Sequence, residues 1–274
     1  MLTDYHTHLR PDGATNGHGP WEADGGHLSP AWIGRYVARG RARAVSEIAI
    51  TEHARRFSET RGWRDEDWWR DGATEDLEAY CAAVASARAQ GLPVLLGLEV
   101  GWLPERRGEI AALVAGRPFD LVLACPGPGA RPGPGAPADE VWSVHLDALA
   151  AAARSGLFDV VWPPDRPAAR GVALPASLAP RLDETIDALA AAGAAVECSS
   201  KGLRGARHEL SPAPAVLARL REAGVPVVLS SAAHRPQDVA RDYATTVAAL
   251  RGAGYETITR LSRRSPSQVP IRWA

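Results

Sequence analysis

Short apolar runs alternate with segments of helical period along the whole chain. The runs Leu2–Thr7, Ala44–Ile50, Pro93–Val100, Phe119–Ala124, Phe158–Trp162, Ala194–Cys198, Val225–Ser230 and Thr257–Leu261 read as strands. Between them lie helical patterns such as DLEAYCAAVASARAQG, DALAAAARSG, LDETIDALAAAG and APAVLARLREAG, each closed by a glycine suited to the position just past a helix end. Repeated β-then-α units imply a parallel sheet, and seven or eight of them imply closure into an α/β barrel. No linker-like composition divides the chain, so residues 1–274 are expected to form one barrel domain.

Composition narrows the function classes. A chain of 274 residues, 46% of them hydrophobic, is long enough for a full core. A net charge of −1 leaves no large basic surface, so nucleic acid is not an expected partner. No basic-then-apolar leader opens the sequence, and no apolar run reaches the roughly 20 residues that span a bilayer, so neither is a membrane; the expected location is cytoplasmic. Cys81, Cys125 and Cys198 are odd in number and form no CxxC pair, which argues for free thiols and against a disulfide framework or zinc ribbon. Of 31 basic residues only Lys201 is a lysine.

In such barrels the active site forms at the C-terminal ends of the strands. The first run, in DYHTH, offers His6 and His8, two residues apart and therefore on one strand face. AVSEIAITEH ends in His53, VLLGLEVGW carries Glu99, and PVVLSSAAHRP carries His234. A single strand-end histidine is ordinarily hydrogen-bonded or solvated, but four imidazoles and a carboxylate at four strand ends point to a metal site. His6, His8 and Glu99 have the two-His, one-carboxylate composition of a hydrolytic zinc centre, which also suits non-haem iron. His53 and His234 are expected as a second metal site, helped by Asp12 or His18, or as acid–base residues. His18, His27, His145 and His208 gain no such support from position.

Around this centre, Lys201 and Arg204 in SSKGLRGARHEL, and Arg10 just past His8, are candidates for binding an anionic substrate, with Arg55 and Arg56 behind them. Cys125 and Cys198 end strands and read as small packing residues. PGPGARPGPGAP reads as a loop shaping the pocket, and RGWRDEDWWRDG as an aromatic cover or a subunit contact.

The order HxH, TEH, GxE and a late strand ending in histidine resembles the PHP (polymerase and histidinol phosphatase) family, especially its histidinol-phosphatase-like branch. DYHTHLRPDG, TEHARRF, GLEVGW, SGLFDVV, GLRG…HELSPAP, GVPVVLSSAAHRPQDVARD and GYETITRLSRR…QVPI look like family segments in family order. The resemblance implies a distorted (β/α)7 barrel and phosphate-monoester hydrolysis by two or three metal ions. Three positions depart from it: Gly127 stands at the histidine of FDYVxGSVH, Pro163 at the histidine of FDVxxHPD, and Ala232 at the aspartate of SDAH. None of the three has a side-chain donor. By the resemblance, the first metal keeps His6, His8 and Glu99, the second loses its histidines, and the third keeps His53 and His234. SVH at Ser143–His145 lies in a helical pattern and reads as coincidence.

The expected protein is thus a diverged metal-dependent hydrolase with one or two divalent ions, zinc, manganese or iron, acting on a small anionic substrate other than histidinol phosphate. The other readings are a repurposed metalloenzyme of non-haem iron type and a metal-poor protein that binds a ligand or partner.

Overall fold

A computed structural model describes residues 1–11, 19–128, 132–133, 135–205 and 207–272. The elements in chain order are β1 (Leu2–Thr7), α1 (Pro30–Arg41), β2 (Val45–His53), α2 (Asp67–Gly72), α3 (Leu77–Ala89), β3 (Val94–Trp102), α4 (Arg107–Ala115), β4 (Leu121–Pro126) and α5 (Ala138–Arg154). Then come β5 (Val160–Val161), α6 (Arg166–Ala169), α7 (Ala179–Ala192), β6 (Ala195–Ser199), α8 (Pro214–Glu222), β7 (Val227–Ser230), α9 (Tyr243–Gly252), β8 (Thr257–Ser262) and β9 (Ser265–Pro270). Helix starts carry the expected local chemistry: Ser29 Oγ accepts from Trp32 N–H at 3.1 Å ahead of Pro30, and Asp76 accepts from Ala79 N–H at 2.9 Å.

Strands β1 to β7 pair in sequence order, all parallel. The ring nearly closes where Thr7 bridges Ala233 and His8 N–H donates to Ala233 O at 2.7 Å. Buried Asp4 strengthens that seam, accepting from Ser231 N–H at 2.9 Å, Ser231 Oγ at 2.6 Å and Ala240 N–H at 3.0 Å. The fold is the expected (β/α)7 barrel.

One strand is corrected. Thr257–Leu261 does not join the barrel; as β8 it pairs antiparallel with β9 in a separate hairpin. The partner strand is masked in the sequence because Pro266 and Pro270 read against a strand. The two-residue turn also lacks the usual Asn-Gly: Arg263 and Arg264 hold positive φ of 48° and 63°. Tertiary bonds compensate. Arg263 N–H donates to Asp120 Oδ1 at 3.0 Å, and the Arg264 guanidinium donates to Asp159 Oδ2 at 2.9 Å and Leu157 O at 2.7 Å.

This hairpin floors the barrel. Alternation along the strands sends Tyr5, Ala49, Leu95, Leu121, Leu123, Val160, Ala195 and Val228 inward, and Leu261 of β8 joins them in one apolar cluster. Leu261 N–H donates to Tyr5 Oη at 3.3 Å, and Arg260 clasps Glu47 at 2.8 Å. Leu261 is 2% exposed, so Leu261→Ala leaves a cavity in the floor and is expected to lower unfolding free energy by about 3 kcal/mol in urea melts.

Candidate metal centre

The same alternation, two residues nearer the strand ends, builds the centre. Above Ala49, Leu95, Leu123, Val160, Ala195 and Val228 stand Thr51 and His53, Gly97 and Glu99, Cys125, Trp162, Glu197 and Ser230. Parallel pairing places His53 beside Glu99 in register. In β1 the register slips between Asp4 and Thr7, which lets Tyr5 fill the floor while His6 and His8 face the same interior.

His6 Nε2 lies 2.9 Å from His8 Nε2, and the two lie 3.4 and 3.5 Å from Glu99 Oε2. Ligand atoms on one tetrahedral ion stand about 3.3 Å apart, so this triangle matches three ligands of one small divalent cation. Glu99 Oε1 and His8 Nδ1, both buried, make no hydrogen bond among the described residues, and such orphaned atoms are what a bound ion satisfies. His53 Nδ1 approaches Glu99 Oε2 at 2.5 Å. The His8 ring stacks on those of His53 and His234, with centroids 4.1 and 4.4 Å away, so His8, His53 and His234 form a second three-donor group sharing His8.

Two carboxylates that sequence reasoning missed support this shell. His6 Nδ1–H donates to Glu197 Oε1 at 3.0 Å, and Ser230 Oγ–H also donates to that oxygen. A carboxylate behind a histidine fixes its tautomer and leaves Nε2 as the ligand atom. Glu52 Oε2 lies 3.8 Å from His8 Nδ1 and accepts from Arg56 at 2.7 Å, while Glu52 Oε1 accepts from Leu9 N–H at 2.6 Å. Both were legible in principle, being acids inside largely apolar strand segments, Glu197 in AVECS at the inward parity of its neighbours and Glu52 in IAITEH one step beside it.

Burial sets the charges. Burial would lower His6, but the Glu197 and Glu99 carboxylates outweigh it and push the imidazole up to about 10. Burial, reinforced by the charges of His53, His234 and His6, drives His8 well below its ordinary value. Against burial, His53 and His6 hold Glu99 far down, and His6 holds Glu197 down. The two histidines therefore act on stability with opposite signs. His6, raised from 6.5, stabilises the metal-free fold fully below pH 6.5, and that contribution fades as pH rises through about 10; His8, depressed, costs stability as pH falls below 6.5. Chelated protein should therefore melt highest near pH 6.5, with an alkaline decline that His6→Gln removes; calorimetry across pH 5–10 checks it.

The centre opens into a pocket of about 440 Å³. Lys201, Arg55, Arg166, Arg170, Trp68, Trp69 and Trp162 line it together with His53 and His234, so part of the tryptophan-rich stretch does face the site. Lys201 Nζ lies 3.3 Å from His234 Nε2. Arg10 and Arg204 point elsewhere: Arg10 ion-pairs with Glu75, and Arg204 donates to Ser231 O at 2.7 Å beside a shallower neighbouring recess. Asp12 and His18 lie outside the described residues. Cys125 lines the pocket, whereas Cys198 is fully buried with its thiol pushed far up by burial, an inert packing residue.

The three donorless positions differ in what surrounds them. A Cβ built on Gly127 falls on the carbonyl oxygen of Trp102, and the Gly127 backbone lies against Gly101. Pro163 is buried, its carbonyl accepting from His145 Nε2 at 3.1 Å. His145 sits on α5, as the helical pattern implied. Ala232 lines the pocket in the left-handed region, with φ 45°.

The chain matches no family model. It is 28% identical over 215 residues to a probable histidinol-phosphatase of Deinococcus radiodurans, covering 74% of this chain and 81% of the relative. Among solved structures it is similar to histidinol phosphate phosphatase from Lactococcus lactis, complexed with zinc, L-histidinol and phosphate, with a TM-score of 0.72 and 18% identity over 97% and 98% of the two chains. A putative histidinol phosphatase from Listeria monocytogenes gives a TM-score of 0.67 at 15% identity, covering 89% and 99%.

Proposed function

Belonging to the histidinol-phosphatase-like branch of the PHP family, this chain is, we propose, a metal-dependent hydrolase with a reduced centre, acting on a small anionic substrate other than histidinol phosphate. The observation that carries the reading is the buried triangle of His6, His8 and Glu99 at the base of a cation-lined pocket. His6, His8 and Glu99 would hold a divalent ion, zinc being the species in the Lactococcus complex, and such an ion would supply Lewis acidity to polarise a phosphoryl group and acidify water.

The protein's own groups divide the remaining work. Glu197 orients His6 and keeps its Nε2 directed at Glu99 and His8. His53 and His234, both lining the pocket, are placed to take a proton from water and return one to a leaving oxygen. The Lys201 ammonium beside His234 favours an anionic substrate and steadies a developing negative charge. At Gly127, Pro163 and Ala232 no side chain can hold a further ion, so the centre lacks part of the charge that clamps a phosphoryl group in a larger cluster. The tryptophan-lined walls suit a bulkier apolar portion than a compact amino alcohol offers.

The test is metal content by elemental analysis, then hydrolysis of p-nitrophenyl phosphate and of histidinol phosphate on the same preparation. One or two equivalents per chain, with the aryl ester hydrolysed faster, is the expected result. No metal after incubation with zinc, manganese and iron overturns the reading in favour of a binding protein. Oxygen uptake by an iron-loaded form without ester hydrolysis overturns it in favour of oxidative chemistry.

A further inference from the structure

The pocket wall carries a feature that the metal centre does not use. Trp162, the inward residue just past β5, lies under two guanidinium groups: Arg166 Cζ is 5.4 Å and Arg170 Cζ 5.6 Å from its ring centroid. All three residues line the pocket that holds His6, His8 and Glu99. Arg166 Nε is hidden from solvent and makes no hydrogen bond among the described residues. A buried guanidinium N–H without an acceptor costs free energy unless a ligand supplies one. The two carboxylates that line the same space, Glu99 and Glu197, are already engaged with His6.

We propose that Arg166 and Arg170, held in place by the face of Trp162, bind a second anionic group of the substrate, at a distance from the reacting one. The proposal rests on the hydrolase reading for the first anionic group alone. Cation–π contact restrains each guanidinium over the Trp162 ring, and a planar guanidinium fork held in place is suited to grip a carboxylate or phosphate through two parallel hydrogen bonds. A volume of about 440 Å³ exceeds what a lone phosphate fills, and Pro126, Pro128 and Trp68 offer apolar surface for the part that joins the two charges. The substrate class is therefore a flat or apolar small molecule bearing a phosphate ester at one end and an oxyanion at the other.

Non-hydrolysable probes separate this from turnover. Phenylphosphonate carries the first group, 4-carboxyphenylphosphonate adds a distal carboxylate, and 1,4-benzenediphosphonate adds a distal phosphonate. Titration calorimetry on the full chain with zinc present should show one doubly anionic probe, the carboxylate or the phosphonate, bound at least ten times more tightly than phenylphosphonate. In Arg166→Gln/Arg170→Gln the preference should fall within twofold, with phenylphosphonate affinity and zinc content unchanged. Arg166→Lys, which keeps the charge and loses the fork, should retain about a third of the preference and serves if the double variant folds poorly. No preference in the wild type, binding of no probe at all, or a preference that survives the double substitution overturns the proposal. Preferential binding without hydrolysis of the corresponding phosphate ester overturns the hydrolase reading and leaves the anion wall standing.

Discussion

Glu99→Gln protein is expected to bind zinc at least about 100-fold more weakly than the wild type, and to lose detectable phosphate-ester hydrolysis with it. Glu99 Oε2 is the point on which His6 Nε2, His8 Nε2 and His53 Nδ1 converge, at 3.4, 3.5 and 2.5 Å. An outer partner of a ligand is worth roughly 10- to 100-fold in affinity, and an anionic ligand more. The same change tests the metal-free fold. Glu99 is 1% exposed and compensates a cluster of imidazoles, so neutralising it leaves buried positive charge and should lower stability by about 3 kcal/mol. Competition against a fluorescent zinc chelator and urea melts of chelated protein give the two numbers. An unchanged zinc affinity would remove Glu99 from the ligand set.

The second large effect comes from attempting to rebuild a ligand. Gly127→His places a histidine where the resemblance to the PHP family puts one, yet it should destabilise the protein by about 4 kcal/mol or more and add no metal. The reason is backbone, since the new Cβ meets the Trp102 carbonyl and the strand ends at Gly101 and Gly127 pack too closely to part. Ala232→Asp is the contrasting case. Its φ of 45° is one that aspartate tolerates better than alanine, and its side chain enters the pocket. It should fold as well as the wild type and tighten zinc about tenfold. Thermal melts and metal titration of the two variants side by side check both claims.

The same contrast between side chain and backbone separates the legible parts of the site from the rest. Seven strands and the convergence of His6, His8, His53, Glu99 and His234 are deducible from inward parity at strand ends, because a parallel barrel leaves side chains few places to point. Glu197 escapes notice because it stands at the centre of a short strand with no neighbouring histidine in the sequence, although a carboxylate in the middle of AVECS needs a buried partner. β9 escapes because its prolines mask a hairpin whose register is set by tertiary anchors on Asp120 and Asp159. Arg10 and Arg204 look like substrate ligands by sequence proximity; the structure pairs them with Glu75 and the Ser231 carbonyl and leaves both outside the lining of the metal pocket. Arg166 and Arg170 cannot be ranked from sequence, since nothing in WPPDRPAAR says that one indole lies under both.

The floor made by Leu261 beneath Tyr5 and its neighbours also decides traffic. With its lower end plugged, the described barrel interior opens at the end where His6, His8 and Glu99 stand. On the hydrolase reading, a product would leave through the same mouth by which the substrate enters, past Lys201 and the arginines. On that reading, charges that would draw the substrate in would also hold the departing anion, and added inorganic phosphate is expected to slow turnover by competing with the incoming molecule.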